Sequence, residues 1–184
     1  NTTSNGVITE SNGSGSVTGS HSYTTAGVYT IALTVTDDDL ASETSQFMYV
    51  VVYDPAGGFV TGSGRFNMPA GSIIANPSEN GMTNFGTNAK YVNNILNGAT
   101  RLNFRNGQYV FNFDSSSYDW LVVNGTQAQL HGTGTVNNSG NYTFTLTTVD
   151  NSPDTFRLQI WDGATVIYDN NTSSLTNGNI QVHN

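Results

Sequence analysis

Carboxylates and flat aromatic rings are the side chains of this chain best suited to chemistry. Asp37, Asp38 and Asp39 stand in a row after an alternating segment, and Asp150 and Asp154 bracket the turn Asp-Asn-Ser-Pro-Asp. Oxygen ligands spaced a few residues apart in a loop suit Ca2+, which takes carboxylates in flexible geometry. Three adjacent side chains diverge along an extended backbone, so the Asp37–Asp39 tip needs outside oxygens such as Glu43. A solvated hairpin loop is its simpler account. Around Asp150 and Asp154 the calcium-loop signature D-x-D-x-D-G is absent. A structural Ca2+ in one of these loops is the one cofactor expected, and Asp162 and Asp169 flank the neighbouring hairpin.

The rings offer a different chemistry. Trp161, Tyr168, Trp120 and Tyr118 are amphipathic plates of the kind that stack on sugars, although in a small β-sandwich such rings more often pack the core. Trp161 is the strongest candidate, because it falls opposite the inward set Phe156, Leu158 and Ile160. Catalysis has little to build on. The three histidines are His21, His131 and His183, the three glutamates are Glu10, Glu43 and Glu79, and no G-x-S-x-G, H-E-x-x-H or P-loop occurs. Paired acids for glycoside cleavage converge in space rather than in sequence, so spacing alone does not address them. The expectation is a protein that is not an enzyme.

Composition narrows the classes further. The net charge of −8 repels a phosphate backbone, which argues against nucleic acid. No apolar run reaches the length of a membrane-spanning helix, so membrane insertion is not expected. With no cysteine, disulfides and thiolate chemistry are impossible. Abundant Thr, Asn and Gly with a single lysine, Lys90, point to an extracellular or cell-surface location and leave little room for an isopeptide crosslink. Asn124, Asn137 and Asn141 match the glycosylation acceptor pattern, a match that this composition produces readily by chance. The chain opens in mid-pattern without a leader, as a mature or trimmed piece of a longer protein would.

These side chains must be positioned by strands. Seven Asn-Gly pairs punctuate the sequence, and between them the apolar period is two. In VYTIALTV, Tyr29, Ile31, Leu33 and Val35 share a face. FMYVVVY (47–53) is apolar on both faces, as in a strand covered on both sides. Tyr142, Phe144 and Leu146 alternate with threonines, and in YDWLVV Trp120 and Val122 lie opposite Leu121 and Val123. Hairpin turns are expected at Asn138-Ser139-Gly140 and Asp162-Gly163. NAKYVNNILNG (88–98) is the one stretch that suggests a helical turn, and Arg65 is expected to pair with a carboxylate such as Asp119. Pro55 and Gly57-Gly58 mark a boundary, giving modules at 1–53 and 59–184 joined by a linker at 54–58.

The first module resembles the last strands of a PKD domain, an immunoglobulin-like sandwich, through His21, Tyr23, Gly27, Tyr29, Leu33, Val35 and Asp37. The likeness covers roughly residues 5–53 and lacks the family's opening strands. Such a sandwich needs about seven strands. A partial one leaves a bare edge and an apolar face, so either the chain is cut within the module or a strand from another copy completes it. The second module resembles a β-rich unit found near the C-termini of large secreted or cell-surface bacterial and archaeal proteins. That likeness rests on FVTGSGRF, NFGTNAKY, the stretch 113–150 and TFRLQIWDGATVIYDN, and it implies location and fold but no activity. The expected architecture is all-β, a partial PKD-like sandwich followed by a larger antiparallel β-sandwich or flattened barrel. The expected function is a non-catalytic structural or adhesive module that joins copies of itself or another cell-surface protein through strand complementation. The alternative is a polysaccharide-binding module appended to a secreted hydrolase.

Overall fold

The structure, a computed structural model, describes residues 2–184; the side chains of Met48 and Tyr49 lie outside what it describes. It is all-β, with thirteen strands and no helix among the described residues. β1 (Val7–Ser11) and β2 (Ser14–Thr18) form one hairpin, and β3 (Gly27–Thr36) and β4 (Ser42–Val52) form another. The rest is a meander: β5 (Phe59–Met68), β6 (Gly81–Val92), β7 (Ile95–Asn106), β8 (Tyr109–Asn124), β9 (Gln127–Val136), β10 (Ser139–Val149), β11 (Thr155–Asp162), β12 (Thr165–Asp169) and β13 (Ser173–His183). It closes on itself as an eight-stranded barrel when β13 pairs with β5. β5 and β8 approach each other across the interior, so the barrel is flattened.

The meander follows from turn chemistry and alternation. Asn93-Asn94 and Asn137-Asn138 both have positive φ at two successive residues, as type I′ hairpin turns require. Asn93-Asn94 therefore overturns the helical turn expected at 88–98. Val92 and Ile95 sit side by side at the hairpin tip, exposed, instead of on one face of a helix. The β9–β10 turn likewise lies one residue earlier than expected, because Val136 pairs with Ser139 and the loop is Asn137-Asn138. The β11–β12 turn lies one residue later than expected, because Asp162 pairs with Thr165 and the loop is Gly163-Ala164, with Gly163 at positive φ. Along β10 and β11 the inward set Phe144, Leu146, Phe156, Leu158 and Ile160 is fully buried.

Closure is accomplished with few backbone pairs. β11 meets β13 only at Thr155–Ser174 and Phe156–Ser173. β12 and β13 run as one interrupted lane along β11, and at the interruption the buried Asn170 stands in for the missing ladder. Its Oδ1 accepts the Leu158 N–H at 2.7 Å, and its Nδ2 donates to the Phe156 carbonyl at 2.9 Å. The outer edge of β12 is covered by the β5–β6 loop, where Ile74 N–H donates to Ile167 O and Asp169 N–H to Ser72 O. At the opposite end, Gly58 enters β5 at positive φ, against the His183 carbonyl, where any Cβ would collide.

The first 53 residues are built differently. On β3, Ile31, Leu33 and Val35 are 40%, 43% and 46% exposed, and on β4 Phe47 is 65% exposed. Of the stretch 47–53 expected to be covered on both sides, the side chains of Met48 and Tyr49 lie outside what the structure describes. Among the described residues β4 pairs with β3 alone, Phe47 is exposed, and Val50, Val51 and Val52 are half-buried. The β3–β4 hairpin touches the barrel at β8, where it covers the outward Val122, and Asn124 Nδ2 donates to Ala26 O. Tyr53 stacks on Tyr91 at 5.5 Å.

Tyr168 has zero exposure, and its hydroxyl has no hydrogen-bond partner among the described residues. Burial, with the Asp169 carboxylate beside it, pushes the phenol far above its usual titration range. A buried unsatisfied hydroxyl costs about 1–3 kcal/mol. Tyr168→Phe is therefore expected to raise stability by about 1 kcal/mol in urea unfolding, and a loss of stability contradicts this account.

Candidate functional site

The outer wall of the barrel carries one groove lined by aromatic rings. It spans β8 to β11 and is bounded by Trp120, His131, Thr143, Thr145, Trp161 and Gly163, with a volume of about 310 Å³. Register alone brings these residues together. Trp120 pairs with His131, His131 with Thr145, and Thr143 with Trp161. Trp120 and Trp161 thus stand three strand spacings apart, roughly 14 Å at the backbone. Between them lie His131, stacked on Trp120, and the short side chains of Thr143 and Thr145, so the Trp120–His131 stack forms one wall, Trp161 the other and the threonines a floor.

A β-bulge shapes one wall. The β8–β9 register slips between Tyr118 and Trp120, which leaves Asp119 and Trp120 together opposite His131. Asp119 accepts a 2.7 Å hydrogen bond from His131 Nδ1, and the Trp120 ring stacks on the imidazole at 5.5 Å with 12° between planes. The sharp coil at the bulge explains Gly132, where a Cβ would strike the Ser117 carbonyl. Asp119 is thus the partner of His131 and not of Arg65. The arginine–carboxylate pairs are Arg101–Asp114 and Arg157–Asp169. Burial opposes the charge on Asp169, but Arg157, the Asn171 N–H and Gln159 together hold its carboxyl below the usual range.

Of the four rings expected to meet sugar, two reach the groove. Trp161 faces outward as its alternation implies, and Trp120 joins it. Tyr118 turns inward, its ring edge-on to Phe144 and its hydroxyl 2.8 Å from Thr100 Oγ1. Tyr168 is stacked on Phe111 in the core at 5.0 Å and presents no face to solvent. His131, Thr143 and Thr145 were missed as site residues. Their signal is visible only in hindsight, as outward positions of adjacent strands in the same register.

The acidic loops have backbone partners. Asp37 Oδ1 accepts the Ala41 N–H at 2.8 Å and closes the β3–β4 loop, while Asp38 and Asp39 are exposed beside it. Asp154 is buried, and its carboxylate accepts Ile180 N–H at 2.7 Å and Asn151 N–H at 3.0 Å. Asp150 accepts Val182 N–H at 3.0 Å. These two carboxylates serve the edge of β13 that β11 leaves unpaired. Among the described residues no group of three or more His, Asp or Glu side chains is placed to hold a metal ion.

No known family model, curated protein or solved structure matches the chain.

Removing the Asp154 carboxylate strands two backbone donors, one of them buried. Asp154→Ala is expected to cost about 2–4 kcal/mol of stability, more than Asp150→Ala, in denaturant titration. Equal and negligible effects of both would show that the β13 edge does not depend on them.

Proposed function

We propose that this protein is a non-catalytic, extracellular adhesive module that holds polysaccharide through the Trp120–Trp161 groove. The observation that supports this reading is the pair of outward indoles set across a floor of unpartnered hydroxyls. Some outward hydroxyls elsewhere on the sheets pair with neighbours, as in Ser117–Thr133 and Thr34–Thr44, and others, such as Thr61 and Thr135, do not. Thr143 and Thr145 have no side-chain hydrogen bond among the described residues. A sugar presents an apolar face that packs on an indole and a rim of hydroxyls that such threonines can meet. Binding through fixed aromatic walls requires little reordering of the protein, since the rings sit on paired strands rather than loops. Binding on a glycan array is expected to fall about tenfold or more in Trp161→Ala, the loss of about 1.4 kcal/mol, with the fold retained. Array binding that Trp161→Ala leaves unchanged would place any glycan site elsewhere.

A second reading, self-association by strand pairing, is favoured by the β3–β4 hairpin. A lone two-stranded hairpin is marginal in water, and this one exposes Ile31, Leu33 and Val35 along one strand, with no further strand paired to either edge among the described residues. A second copy could add its own strand there and bury that row. Light scattering over a range of concentrations is expected to show mass rising in the wild type and monomer in Leu33→Lys. A concentration-independent monomer in the wild type ends this reading.

A further inference from the structure

The groove contains a built hydrogen-bonding device that the sugar-binding reading does not use. We infer that the groove takes neutral pyranosides, with His131, oriented by Asp119, as its specificity-determining acceptor; this rests on the groove binding saccharide at all.

The tautomer follows from the partners. An ionised carboxylate can only accept, so Nδ1, at 2.7 Å from Asp119 Oδ2, carries the proton. In the neutral ring Nε2 is then left as an acceptor. No protein group among the described residues donates to it, and His131 lines the groove. Trp120 holds the ring flat against itself, so the imidazole is fixed in plane by stacking and in rotation by Asp119. The threonine floor can donate or accept, but Nε2 accepts only. The matching ligand group is a hydroxyl or amide N–H beside an apolar ring face.

Charge decides between neutral and acidic sugars. The ionised side chains at the groove are Asp119, half exposed beside His131, and Asp162, next to Trp161. The nearest arginine along β11, Arg157, is already engaged by Asp169. With a net charge of −8 behind it, the groove repels a uronate, and among the described residues that line it there is no Lys or Arg. Asp119 acts through His131 and is a positioning residue.

Calorimetric titration with two sets of probes tests this, cellohexaose, mannohexaose and galactohexaose against hexagalacturonate and hexamannuronate. At least one neutral probe is expected to bind the wild type at least tenfold more tightly than either uronate, at pH 8 and low salt. His131→Phe keeps the stack on Trp120 and loses Nε2, and a tenfold loss for that neutral probe is expected. Asp119→Ala is expected to weaken it severalfold and to move the His131 15N shifts toward the Nε2–H tautomer, with Asp119→Asn recovering part of both. Uronates binding as well as neutral sugars, or His131→Phe binding within twofold of the wild type, overturns the inference while leaving the groove as a sugar site. Wild-type protein that binds none of the probes overturns the inference and the reading beneath it together.

Discussion

The seam between β11 and β13 is the constraint on which the rest depends. A barrel has no edges only if its last strand finds its first and also its penultimate neighbour. Here the β5–β13 ladder is long, whereas β11 and β13 share two residue pairs. Side chains supply the remainder. The Asn170 amide reproduces a peptide unit where the lane is broken, and the Asp150 and Asp154 carboxylates receive the N–H groups of Val182 and Ile180. Once the seam is sealed, buried residues from Val60 to Ile180 share one core, and the outward residues of the paired strands are held at a fixed register.

That fixed register makes the groove. Its members come from four successive strands, so only a rigid outer wall can set two indoles across two threonines. The bulge at Asp119 adds what a regular ladder cannot, two neighbouring residues facing one histidine. The N-terminal hairpins show the contrasting case. They have the same alternation and similar turns, but among the described residues no sheet encloses them, and Val7, Ile8, Ile31, Leu33, Val35 and Phe47 stay in water.

Much of the barrel was legible because its core residues obey a period of two in unbroken runs. Phe144, Leu146, Phe156, Leu158 and Ile160 declare their side without ambiguity, and so does Trp161. The hairpin at Asn93-Asn94 was not legible, since Val92, Ile95 and Leu96 fit a helical stripe as well as a strand. Only the left-handed tolerance of two consecutive asparagines decides it. Tyr168 was misjudged because a phenol is ordinarily placed where its hydroxyl is met, and here it is not. Asp150 and Asp154 were read as candidate calcium ligands; their carboxylates accept backbone amides some thirty residues on, which no local pattern reveals. The company of Trp120 and Trp161 depends on strand order and on a slipped register, and neither is written in any short stretch.

The order of the strands also sets the order of assembly. Nearly every neighbour in the barrel is the next strand along, so hairpin after hairpin can form as the polypeptide emerges from a ribosome. Besides the short β11–β13 seam, the exception is the pairing that joins Phe59 to His183, more than a hundred residues away. Until that last segment is released, β5 presents a bare flank and a half-covered interior to whatever surrounds the nascent chain. A secretion route that delivers the polypeptide unfolded and complete would avoid that interval, and one that folds it during synthesis would need a chaperone to shield it.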